Sequence, residues 1–134
     1  MQRIALVALV LGAALAVPKV TFAGNVHFIG TPTCSQVGSQ LCCSGKLAGL
    51  GTAPTNIDVN AAFSCTNRGG NQPAGQASGQ SGPITPRGGQ ITFTNVCTGA
   101  GRCPDTMTPT FGPNATINIL QNNNLVFSAT IPVS

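Results

Sequence analysis

The chain has 134 residues, of which 6% are charged, with Lys and Arg totalling 6 against 2 acidic residues and a formal net charge of +4. So few and so scattered cations exclude the clustered basic patch that phosphate-backbone binding requires. Aromatics make up 4%, with neither Trp nor Tyr, so the chain also lacks the side chains that most often stack on sugar faces or on bases.

Arg3 opens a short basic head, an unbroken apolar run follows from Ile4 to Val17, and Pro18 precedes the small-residue pattern Thr21-Phe22-Ala23. This predicts a secretory signal peptide over residues 1–23, cut after Ala23. The apolar run falls short of the roughly 20 residues that a membrane-spanning helix needs. No lipobox cysteine stands directly after the junction and the C-terminus has no apolar tail, so neither a lipid anchor nor a membrane is expected for the mature form. Residues 24–134 then form a single disulfide-stabilised β domain that is secreted, extracellular or periplasmic.

That domain has 111 residues, and its charged groups are Lys46, Arg68, Arg87 and Arg102 against Asp58 and Asp105. Solubility falls to uncharged polar groups: Thr, Asn, Ser and Gln account for 40 of the 111. All six cysteines lie here, below the density of about 8–10% that marks a scaffold made of disulfides alone, so bridges are expected to assist a hydrophobic core.

Period-two alternation recurs along the domain and predicts strands. Strands are expected at Asn25–Ile29 and Gln40–Leu47. The clearest runs over Ile57, Val59, Ala61, Phe63 and Cys65, with Asp58 and Asn60 on the opposite face. The stretch Thr66–Gly89 has seven Gly, three Pro and three Gln among 24 residues, with Ile84 its one large apolar side chain. It reads as an exposed loop or as a ligand-binding loop displayed by the sheet. Gln90–Val96 resumes alternation, Cys97–Pro113 reads as loop, and Ala115–Gln121 with Leu125–Ile131 forms a hairpin around Asn122-Asn123-Asn124. About six strands predict an all-β fold: a small antiparallel sandwich, Ig-like or an open barrel, with long Gly/Pro-rich loops. Its expected core is Ile57, Val59, Phe63, Ile91, Phe93, Ile117, Ile119, Leu125, Phe127 and Ile131.

Six cysteines allow 15 pairings. The neighbours Cys42 and Cys43 point to opposite faces of one strand and need different partners. A local Cys34–Cys43 bridge closing a hairpin is the economical choice. No C-x-x-C spacing favours a metal. The segments Gly24-Asn-Val-His-Phe-Ile-Gly-Thr-Pro-Thr-Cys34, Cys43-Ser-Gly-Lys-Leu-Ala-Gly-Leu-Gly51 and Cys65-Thr-Asn-Arg-Gly-Gly-Asn-Gln-Pro-Ala-Gly-Gln76 resemble a family of small secreted bacterial proteins without assigned function. That resemblance marks Cys34, Cys43, Cys65 and Cys103 as the usual cysteines and implies an additional Cys42–Cys97 bridge beside Cys34–Cys43 and Cys65–Cys103. The rival pairing joins Cys97 to Cys103 and Cys65 to Cys42. The resemblance brings no activity or ligand.

Catalytic material is thin. His27 would have to combine with Asp58 or Asp105 and a serine, and no G-x-S-x-G elbow is present. An Asp58/Asp105 acid–base pair is the remaining hydrolase reading, but Asp58 falls on a polar strand face and Asp105 in a turn. His27 reads as a surface or cross-strand residue. No catalytic, cofactor or metal site is expected. Arg68, Asn71, Gln72, Gln76 and Arg87 of the Gly/Gln-rich stretch, with Phe111 as an exposed aromatic between Pro109 and Pro113, form the candidate ligand loop. The expected function is that of a secreted, non-catalytic structural or interaction protein of the cell surface or extracellular matrix that self-associates through a strand edge such as Leu125–Ile131. The alternative is an extracellular binding module for a polar ligand or surface glycan. Nucleic acid is not an expected partner.

Overall fold

A computed structural model describes residues 20–66, 74–104 and 107–134. Among them the protein is all-β, with eight strands: β1 (His27–Phe28), β2 (Thr33–Val37), β3 (Gln40–Ala48), β4 (Thr55–Thr66), β5 (Ala74–Ile84), β6 (Ile91–Cys97), β7 (Thr108–Gln121) and β8 (Asn124–Pro132). They form two antiparallel sheets. In the first, β1 and β2 follow one another along one edge of β3 and β6 lies on the other edge; the second runs β5-β4-β7-β8.

The expected alternation of β4 is realised: Ile57, Val59, Ala61, Phe63 and Cys65 are buried. Val59 pairs directly with Ile117 and Ile57 with Ile119, so aliphatic stripes of neighbouring strands meet on the inner face. Leu41, Cys43 and Leu47 of β3, with Ile91, Phe93 and Val96 of β6, close the core from the other side. Burying each such side chain contributes about 1.5–3 kcal/mol. The sheets meet at both margins. Gly99 N donates to Ser78 O (2.9 Å) beside β5 and β6, and Ser134 N donates to Cys34 O (2.9 Å) where Val133 bridges to β2. The result is a sandwich drawn together at its edges.

Three bridges brace it: Cys34–Cys43, Cys42–Cys97 and Cys65–Cys103. The adjacent cysteines of β3 divide as alternation requires. Cys43 faces the core and joins its cross-strand partner on β2, while Cys42 joins its cross-strand partner on β6. β3 is thus stapled to both neighbours. Cys65–Cys103 ties the end of β4 to the connection that follows β6.

Four expectations are corrected. The second half of Thr66–Gly89 is a strand, not a loop: β5 pairs with β4 from Ser64↔Ala74 to Thr55↔Ile84. Its small residues serve close approach. A Cβ on Gly75 would stand 2.4 Å from Phe63 Cζ, and one on Gly79 would stand 2.0 Å from Cys97 O. Up to Ile84 at its end, β5 carries no large apolar side chain, and at Gly75 and Gly79 a neighbouring ring and a neighbouring backbone occupy the place of one.

Strand β7 begins at Thr108, inside the span expected to be loop. Phe111 is therefore buried, not an exposed aromatic, and packs on Phe63 with ring centroids 5.4 Å apart. Leu125 is 60% exposed and outside the core. A register shift between Ile119↔Phe127 and Leu120↔Leu125 places an extra residue on β8 and turns Leu125 to the other face. Phe127 is half-buried at the core margin, edge-on to Phe28 at 5.6 Å. Finally, the strand expected over Asn25–Ile29 contracts to His27–Phe28. The hairpin turn itself is as read, with Asn122 and Asn123 both at positive φ (51° and 62°) and Gln121 paired to Asn124.

Candidate functional site

The connection from β5 to β6 crosses from one sheet to the other and folds into a two-residue turn. Arg87 N donates to Gln90 O (2.9 Å) and Gln90 N donates to Arg87 O (3.1 Å). The residues between, Gly88 and Gly89, have φ of 59° and 75°, a backbone pair that side-chain-bearing residues rarely adopt. The tip is pinned to the body where Leu50 N donates to Gly89 O (3.0 Å). Arg87 and Gln90 therefore project side by side from a fixed base.

Sheet pairing brings a second cation to this turn. Lys46, exposed on β3, lies opposite Thr92 of β6, and Leu47 lies opposite Ile91. Lys46, Thr92, Ile91, Gln90, Arg87, Thr85 and Ile84 together line an open cleft of about 350 Å³. Lys46, Arg87 and Arg102 are the Lys and Arg side chains among the described residues, and two of the three share this cleft. Asp58 is the one acidic side chain among them. It sits on the second sheet, where Asn60 Nδ2 donates to Asp58 Oδ2 (3.1 Å). The cleft is thus a concave site that carries two cations and, among the described residues, no acidic side chain, with amide and hydroxyl groups on its walls and two isoleucines in its lining.

The residues nominated for a ligand loop are described only in part. Arg68, Asn71 and Gln72 lie outside the described residues. Gln76 is exposed on β5 opposite Ala62, and Phe111 is in the core. Among the described ones Arg87 joins the cleft; no sequence signal singles out Lys46, Thr85, Gln90 or Thr92 for it. The signal for the turn was present as Gly-Gly between Arg87 and Gln90, whereas Lys46 stands 41 positions before Arg87 and no local pattern links them.

Of the residues considered for catalysis, His27 and Asp58 stand on different sheets. His27 is exposed on β1, its Nδ1 3.0 Å from Asn25 O; Asp58 lies on the other sheet, and Asp105 lies outside the described residues. Among the described residues no cluster of three or more metal-ligating side chains occurs, and no helix is long and apolar enough to cross a membrane.

Two polar features found only in three dimensions organise the ends of the sandwich. Gln121, 1% exposed, donates through Nε2 to Leu50 O (2.7 Å) and Thr55 Oγ1 (3.0 Å), while its Oε1 accepts from Ala23 N (2.7 Å). Thr21 is clasped to the same turn: Thr52 N and Ala53 N donate to Thr21 O at 2.8 and 2.9 Å. At the opposite end, Gln36 behaves as a short piece of backbone. Its Nε2 donates to Pro109 O (2.8 Å) and its Oε1 accepts from Phe111 N (3.0 Å), which links β2 to β7. No family model, curated protein or solved structure matches the chain.

Proposed function

We propose that the protein is a bacterial, exported, non-catalytic interaction protein of the cell surface or extracellular matrix, and that it associates with copies of itself through the outer edge of β8. Three bridges in one small domain suit an oxidising compartment outside the cytosol. The observation that carries self-association is the character of that edge. β8 pairs with β7 on one side; among the described residues no strand pairs with its other side, and just past its end Val133 bridges to Cys34. The strand Asn124–Pro132 contains no charged residue and exposes Leu125. Other margins are blunted by the features that usually protect sheet edges. The β1/β2 edge is short and broken around Pro32, and β5 carries Pro83 and three glycines. On β8 the bulge near Leu125 and Pro132 lie at the two ends, and the stretch between them carries neither feature.

Sedimentation velocity over a hundredfold concentration range tests this. The oxidised protein is expected to form dimers or larger species as concentration rises, and Leu125→Lys, an exposed position, is expected to remain monomeric. A wild-type protein that stays monomeric throughout contradicts the proposal.

A second reading, an extracellular binding module for a polar ligand or glycan, is favoured by the Lys46/Arg87 cleft.

A further inference from the structure

We propose that the cleft between Lys46 and Arg87 binds a single carboxylate-bearing sugar residue, a hexuronic acid within an acidic glycan. This rests on the second reading above and assigns its ligand class.

Charge comes first. Lys46 and Arg87 both line the cleft, and no acidic side chain among the described residues lines it with them, so the site favours an anion. Two are also too few for a nucleic-acid backbone, which is held by arrays of Lys and Arg along the strand, and no aromatic lines the cleft to stack a base. A neutral sugar would leave both cations unused.

Geometry comes next. Arg87 stands on a turn whose backbone is closed by two reciprocal hydrogen bonds and tethered through Gly89 to Leu50. The turn fixes where the Arg87 side chain starts, and its guanidinium offers the paired N–H···O contacts that a carboxylate accepts. Lys46 supplies a compact second charge from the central strand of the first sheet. Gln90, Thr85 and Thr92 offer an amide and two hydroxyls at the rim, the groups that hydrogen-bond sugar hydroxyls. Ile84 and Ile91 give the lining apolar surface, suited to the C–H face of a pyranose ring. About 350 Å³ is at the low end of small-molecule pockets, which run from roughly 300 to 1,000 Å³, so one sugar unit fills the cleft and the remainder of a glycan leaves through its open side.

Sulfate shares the anionic chemistry, so the test separates the two. The oxidised, isotope-labelled protein is titrated with trigalacturonate, with maltotriose and with sodium sulfate while backbone amide shifts are followed by NMR. Trigalacturonate is expected to shift Lys46, Arg87 to Gln90 and Thr92. Arg87→Gln and Lys46→Gln are each expected to weaken it at least tenfold, while Arg102→Gln, outside the cleft, leaves it within twofold. Trigalacturonate binding that is unchanged in Arg87→Gln overturns the proposal. So does sulfate or maltotriose binding at the cleft more tightly than trigalacturonate, although a binding module then remains. If none of the three probes shifts the cleft residues, the binding-module reading falls with it.

Discussion

The two sheets are held together by different means. The second sheet has strands of 11, 12, 14 and 9 residues, and its centre is an aliphatic stripe in which Ile57, Val59, Ile117 and Ile119 are fully buried. The first has strands of 2, 5, 9 and 7 residues and carries two bridges, one on each flank of β3. Short strands give few ladder hydrogen bonds and little paired side-chain area, and the covalent links stand where that deficit is greatest. The first sheet also carries Lys46 and Thr92 and, through Leu50 and Gly89, supports the turn that presents Arg87. A cleft on such a base keeps its geometry without a thick core beneath it.

The most severe way to break this comparison is to remove the bridges together. At about 2–4 kcal/mol each, against a total of about 5–15 kcal/mol for a domain, full reduction is expected to lower the melting temperature by about 20 °C or more. Calorimetry with and without reductant checks it, and an unchanged transition would mean that packing alone holds both sheets.

Next in size is the second sheet's own anchor. Phe63→Ala removes the ring that covers Gly75 and packs on Phe111, and is expected to cost about 3–5 kcal/mol in denaturant unfolding. Smaller is Gln121→Leu, which leaves Leu50 O without its buried amide donor; about 1–3 kcal/mol is expected by the same measurement. Smallest is Leu125→Ala. Its side chain is exposed, and a change within about 0.5 kcal/mol is expected; a cost above 2 kcal/mol would put Leu125 in the core and the bulge in error.

How much was legible in the sequence follows the same division. Where large β-branched and aromatic residues alternate, as over Ile57–Cys65, Ile91–Phe93 and Ile117–Ile119, strand and inward face could both be read, because burial there is decided by the side chain itself. Cys42 and Cys43 were legible for a geometric reason, since neighbours on a strand cannot share a face. Strand β5 was not. Gly75 and Gly79 give no sign of burial on their own account, and the ring and carbonyl that occupy their space come from residues distant in sequence. Phe111, flanked by prolines, looked exposed because its partner Phe63 is 48 positions away. Leu125 was misplaced by a one-residue bulge, which reverses a face without altering composition. In the cleft, Arg87 could be nominated from its polar setting, while Lys46 needed the β3–β6 register.

Native-state hydrogen exchange on the Cys42→Ser/Cys97→Ser variant tests the division of support most directly. Loss of this bridge is expected to cut amide protection selectively in β3, β6 and the Arg87–Gln90 turn, with β4 and β7 keeping theirs. Equal loss of protection across all strands, or none in β6, would contradict the claim that the first sheet depends on its staples and the second on its packing.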